Sequence, residues 1–222
     1  MSDYQIYIKN IFDSYKCKSK YDILHLLPVY DNEGELVAYL RPITSDYRKT
    51  IKNCAELMGK WRAENPSISA STFKITTERT EKWLDDLIIG RDDRLLFMIE
   101  TLEHEYLGHV GYSNFCYKTQ TAEIDSILRG VKNVYPGIMT FSIRTLLRWG
   151  KETLELKNIE LSTDTDNLKS QALYQRCGFV IKSKKAMVKH ILPDEVRWDM
   201  AEDPDLPNAE RYALVMQFKG EL

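Results

Sequence analysis

The chain has 222 residues, 43% hydrophobic and 29% charged, enough for one large domain with a buried core or for a domain with a small extension. With 31 Lys and Arg against 33 Asp and Glu, the formal net charge is −2, so the bulk charge gives no reason to expect nucleic acid or an anionic membrane as a partner. Cys17, Cys54, Cys116 and Cys177 are far apart and none has CxxC spacing, so no metal site is expected and reduced thiols in a cytoplasm are the default.

In chain order, apolar or aromatic residues at 4, 7, 8, 11, 12 and 15 predict a helix over Tyr4 to Tyr15. The N-terminal segment, Met1 to Lys9, has no apolar run of the kind a signal peptide needs, and no stretch approaches the length of a membrane helix. Ile23 to Tyr30 and Glu35 to Leu40 read as strands around the turn Asp31-Asn32-Glu33-Gly34. One long amphipathic helix is expected from Ser45 to Glu64, stopped by Asn65-Pro66, and a second from Thr77 to Leu87. Strands follow at Arg94 to Thr101, Tyr106 to Phe115 and Thr121 to Leu128. A helix is expected from Ile138 to Leu154, a strand over Asn158 to Thr163, a short helix over Asn167 to Arg176 and a strand over Phe179 to His190. Residues 193–208, rich in Pro and Asp, read as a loop before a last strand, Tyr212 to Phe218. This order predicts an α/β or α+β mixed sheet.

Two segments carry chemistry. In the first, strand alternation places Glu123, Asp125, Ile127 and Arg129 on one face and Ile124, Ser126 and Leu128 on the other. Paired carboxylates on a central strand are costly unless they meet a polar site. The strand then enters a turn, Gly130 to Gly137, at the start of a helix whose free N–H groups suit a pyrophosphate, with Lys132 nearby. In the second, Asn167 opens a helix carrying Ala172, Tyr174 and Arg176, which ends at Cys177-Gly178-Phe179. Taken singly, Asn167 also reads as a helix cap, Tyr174 and Cys177 as packing residues, and the turn as a plain connection.

Together, Asn167-x-x-Ser170-x-Ala172-x-Tyr174-x-x-Cys177-Gly178-Phe179 resembles the late N-x-x-[SA]-x-x-[LF]-Y-x-x-x-G-F signature of the GCN5-related N-acetyltransferase (GNAT) superfamily. Residues 129–139 stand in the place of its Q/R-x-x-G-x-G/A acyl-CoA turn, with one internal Gly where the family usually has two. The run Asp125 to Gly130 followed by Pro136-Gly137-Ile138-Met139 is also similar to acetyltransferases associated with bacterial surface-sugar biosynthesis. The resemblance implies a mostly antiparallel twisted sheet of about seven strands flanked by helices. It implies a domain over residues 35–222, preceded by a helix-and-hairpin extension over 1–34.

The resemblance further implies acetyl-CoA as co-substrate, without a metal. The backbone of Ile127, Leu128 and Arg129 would meet pantetheine. Val131, Lys132, Tyr135, Pro136, Gly137, Ile138 and Met139 would meet the pyrophosphate. Asn167, Ala172, Tyr174 and Arg176 would complete the cofactor side. Glu123, Asp125 and His109 are candidates for the base that neutralises the amine, and Tyr174 for the acid that protonates the departing sulfur. Trp61, Arg62, Phe73, Lys74 and Arg79 would shape the acceptor side, where an aromatic and basic mix suits a nucleotide-linked amino sugar. A protein N-terminus, a lysine or a polyamine is the alternative acceptor, and a non-catalytic acyl-CoA-binding domain is an alternative of another class. A homodimer in a cytoplasm is compatible with all of these.

Overall fold

The computed structural model describes residues 1–203 and 206–221. Helix α1 (Asp3–Tyr15) leads to strands β1 (Leu27–Tyr30) and β2 (Leu36–Pro42). Helices α2 (Tyr47–Thr50) and α3 (Cys54–Glu64) then precede strand β3 (Thr72–Phe73) and helix α4 (Thr77–Trp83), which runs on as a wider turn over Leu84–Ile89. Strands β4 (Leu95–Thr101), β5 (Tyr106–Cys116) and β6 (Thr121–Arg129) are followed by helix α5 (Ile138–Glu152) and strand β7 (Asn158–Asp164). Helix α6 (Leu168–Arg176) and strands β8 (Phe179–Leu192), β9 (Glu195–Met200) and β10 (Arg211–Phe218) complete the order.

The strands form a single sheet in the order β1-β2-β4-β5-β6-β7-β10-β8-β9-β3, antiparallel throughout except for the parallel pair β6–β7. Three expectations are corrected. The sheet has ten strands rather than about seven. The expected long helix over residues 45–64 is two helices, because Asn53 adopts a left-handed conformation (φ 52°) between them. Residues 193–208 are not all loop: Glu195–Met200 alternates well enough to pair with β8, and that hairpin reaches β3.

Apolar side chains cover both faces of the sheet. Ile8 and Phe12 of α1 and the buried side of α5 (Ile143, Leu146, Leu147, Trp149) pack on one face, against Phe97, Val110, Tyr112 and Ile124. Trp149 sits at the centre, its ring 5.0 Å from Tyr15 and 5.7 Å from Phe97. The segment expected as an extension thus supplies both a core helix and one edge of the sheet. The opposite face takes Tyr47, Met58, Trp61, Leu84 and Ile88 against Leu96, Met98 and Leu128. Burying each large apolar side chain contributes about 1.5–3 kcal/mol relative to exposure, so the two faces share the work of holding β4 to β6 flat between them. Among the described residues no helix is long and apolar enough to cross a membrane, and all four cysteines are free.

Trp61 fixes how α3 meets the sheet. It lies so close over Gly130, just past β6, that a β-carbon there would come within 2.1 Å of its ring. Gly130→Ala is therefore expected to destabilise the protein by about 1–3 kcal/mol through overpacking. Urea denaturation should show a lower midpoint with an unchanged slope; an unchanged midpoint would mean that Trp61 can move aside freely.

Candidate active site

The site is built on an irregularity in β6. Register pairs Gly111 with Asp125 and His109 with Leu128, so β6 holds one residue more than β5 between those pairs. The extra residue is accommodated at Ser126, whose φ is 53°. Such a bulge bends its strand and shifts side chains to the other face. Glu123 and Asp125 therefore share a face with Leu128, which packs in the core beneath α3, while Ile127 packs toward the opposite core. This corrects the simple alternation that grouped Ile127 and Arg129 with the carboxylates.

The bulge is held on both sides. His109 Nδ1 donates to the Ser126 carbonyl at 2.6 Å, and the Asp125 carboxylate accepts from the Ser126 N–H. Burial lowers the His109 pKa to about 4, and the carbonyl bond offsets only part of that. The imidazole is neutral at neutral pH, with its proton on the nitrogen that faces the strand. Asp125 is likewise occupied: it forms an ion pair with Arg94 and accepts from Ser113 Oγ at 3.0 Å. Glu123 differs. It accepts from Asn114 Nδ2 at 3.0 Å, and burial raises its pKa, with the nearby Asp125 charge adding to the rise.

Parallel pairing between β6 and β7 lasts only from Thr121↔Asn158 to Glu123↔Glu160. Ile127, Leu128 and Arg129 lie beyond it, so their strand has no partner on the β7 side. The strands diverge around a cleft of about 760 Å³. Glu123, Asp125, His109, Ile127 and Leu128 line it, as do Asn167, Ser170 and Tyr174 from one face of α6. Asn167 caps α6, its Oδ1 accepting from the Ser170 N–H at 3.2 Å. Tyr174 is 5% exposed, and burial pushes its hydroxyl up to about 12. Ala172 and Arg176 lie off this face and are exposed, so their side chains do not reach the cleft.

After β6 the chain makes the expected turn. The Arg129 guanidinium bonds the carbonyls of Val131, at 3.0 Å, and Val134, which holds the turn's shape. Lys132, Tyr135 and Pro136 are exposed, and the Tyr135 hydroxyl donates to Glu103 at 3.0 Å. Gly137 precedes α5 with φ 86° and no side chain caps the helix. Backbone N–H groups at that end thus face outward with the positive end of the helix dipole. The side chains of Ile138 and Met139 are core, and the Ile138 N–H donates to the Tyr135 carbonyl at 3.2 Å. An unpaired strand edge beside an uncapped helix start fits a ligand with an amide-bearing arm and a pyrophosphate.

The profile of the acetyltransferase (GNAT) domain family matches residues 38–180, most of the chain and all of this cleft's β6 and α6 walls. The chain belongs to the GNAT family. Its enzymatic class is that of the acetyl-CoA-dependent N-acetyltransferases. No curated protein matches it. Among solved structures, RimL, a ribosomal L7/L12 alpha-N-protein acetyltransferase, is 15% identical with a TM-score of 0.65, over 88% of this chain and 94% of its own. A point mutant of the spermidine N-acetyltransferase SpeG from Vibrio cholerae is 17% identical with a TM-score of 0.56, over 81% and 93%. A GNAT-family structure from Chromobacterium violaceum is 16% identical with a TM-score of 0.60, over 90% and 91%. At these identities the likeness is one of fold.

The far wall of the cleft comes from segments expected to shape the acceptor side. Arg62, Phe73 and Arg79 line it as expected, whereas Trp61 is core and Lys74 lies outside the lining. Trp83, Arg94, Glu195 and Trp198 line it too; the second helix and residues 193–208 are expected on this side, but the sequence singles out none of the four for it, because each reaches the cleft through long-range packing. Strand β9 crosses to β3 (Phe73↔Glu195), Ser71 Oγ accepts from the Trp198 N–H at 3.0 Å, and Arg79 pairs with Glu195. These contacts roof the cleft. Among the described residues no cluster of His, Cys, Asp and Glu is placed to hold a metal.

Glu123 should titrate above the ordinary glutamate value of 4.5, since burial disfavours its charged form. Removing the hydrogen bond that favours the carboxylate, by Asn114→Ala, should raise it further. Carbon-13 titration of labelled glutamate carboxyls reads both shifts; a downward shift in Asn114→Ala would contradict this account of the site.

Proposed function

We propose that the protein transfers the acetyl group of acetyl-CoA to the primary amine of a small molecule by direct attack, with Glu123 as base and Tyr174 as acid. One observation carries this reading: a carboxylate of raised pKa and a buried, protonated tyrosine face one cleft beside an unpaired strand edge.

The unpaired backbone at Ile127 to Arg129 suits the pantetheine arm, and the turn from Val131 to Met139 suits the pyrophosphate through main-chain N–H groups other than those of Val131 and Ile138, which bond Leu107 and Tyr135. A backbone N–H near Leu128 is suited to stabilise the oxyanion. Glu123 takes a proton from the ammonium, directly or through water. The neutral nitrogen attacks the thioester carbonyl carbon, the nitrogen loses its second proton to solvent, and the carbon–sulfur bond breaks. Tyr174 gives its proton to the departing thiolate and regains one from solvent, so amide and free thiol are the products. Holding both reactants in a roofed cleft supplies orientation and excludes water. Asp125, Arg94 and His109 act here as positioning residues that keep the bulge and Glu123 in place.

The roof made by β3 and β9 favours a small acceptor over a folded protein. RimL is named for a protein acceptor and SpeG for a polyamine, so the fold serves different amines. For this chain, the aromatic walls Phe73, Trp83 and Trp198 and the motif similarity to surface-sugar acetyltransferases favour an amino sugar.

Purified protein mixed with acetyl-CoA and a panel of amines should release free thiol, and acetyl-CoA should raise its thermal midpoint. Absence of both would end this reading. Tyr174→Phe should lower kcat by on the order of 10²–10⁴ while leaving acetyl-CoA affinity nearly unchanged; an unchanged rate would remove Tyr174 from the mechanism.

A further inference from the structure

The charges that line the acceptor half of the cleft are almost all matched. Arg79 pairs with Glu195, Arg94 with Asp125, Arg197 with Asp199, and Asp164 with Arg211. Two lining charges stand outside this set among the described residues. Glu123 has an amide donor and no ion-pair partner. Arg62 has no carboxylate partner either: its guanidinium donates to the carbonyls of Asn65 (3.1 Å), Pro66 (3.4 Å) and Ser71 (2.8 Å), and lies over the Phe73 ring, 5.6 Å from its centre.

Burial strips water from Arg62 and pulls its pKa below the ordinary arginine value. A guanidinium has five N–H donors, and three carbonyl bonds leave two unused. Neutral carbonyls do not return the Coulombic energy that a carboxylate would. Helix α3 therefore presents one preorganised, under-compensated cation, held by the carbonyls of the loop that follows it, to the same cleft in which Glu123 presents one uncompensated carboxylate.

We propose that the acceptor carries an anionic group besides its amine, the anion held by Arg62 and the amine by Glu123. This rests on the acetyl-transfer reading for the role of Glu123. The anion is a carboxylate or a phosphate monoester, since a planar guanidinium with two spare N–H groups suits either. A nucleotide diphosphate is less well matched, because three of the four arginines lining the cleft already have carboxylates.

The test compares three amines: glucosamine, glucosamine 6-phosphate and an α-amino acid such as glycine. Binding of each to the protein–CoA complex is measured by calorimetry, alongside thiol release with acetyl-CoA. At least one anionic amine should bind tenfold or more tighter than glucosamine, and the two anionic arms tell phosphate from carboxylate. Arg62→Gln keeps an amide to bond the loop carbonyls and removes the charge. It should raise KM for the anionic amine at least tenfold, change glucosamine by less than twofold, and be largely rescued in Arg62→Lys. Equal binding of all three amines, no binding of either anionic amine, or an equal loss for neutral and anionic amines in Arg62→Gln would overturn the proposal. A preference in binding with no thiol release from any amine would instead sink the acetyl-transfer reading and leave the anion site standing.

Discussion

The structure depends on one extra residue in β6. Ser126 occupies a left-handed conformation that a non-glycine residue adopts at a cost, and His109 and Asp125 hold it there. From that bulge follow the turn of the strand away from β7, the unpaired backbone at Ile127 to Arg129, and the change of parity that puts Leu128 under α3. The close approach of Trp61 to Gly130 completes the arrangement, since it seats the acceptor-side helices on the strand that carries the carboxylates. A regular β6 would pair with β7 along its length, and the cleft would not exist.

The three candidate bases are separated by what surrounds them rather than by residue type. Asp125 spends its carboxylate on the bulge and on Arg94, while burial keeps His109 neutral with its Nδ1 proton on the Ser126 carbonyl. Glu123 is left with an amide donor and a pKa raised by burial, which distinguishes it as the proposed base. Desolvation in the same cleft also raises the Tyr174 hydroxyl, so the cleft disfavours the charged form of both groups.

Much of the fold was legible along the chain. The 3.6-residue spacing of Ile143, Leu146, Leu147 and Trp149 marks the buried side of α5, and Asn167 with Gly178 marks the ends of α6. Tyr174 lies seven residues after Asn167, two helical turns, so their shared face could be read directly. Other features were hidden because their causes are non-local. Nothing near Arg94 announces a partner 31 residues later, and the polar alternation of β9 resembles a loop until β8 and β3 supply its hydrogen bonds. The break at Asn53 depends on helix packing against the sheet and leaves only a weak local trace.

The sequence alone determined most of the element order, the carboxylate pair on β6 and the Asn-to-Tyr face of α6, because periodicity and capping are local properties of the chain. The tertiary structure alone decided which carboxylate stays free, which arginine stays unmatched and how the cleft is roofed. Ion pairing, desolvation and the parity of a bulged strand arise only when distant segments meet.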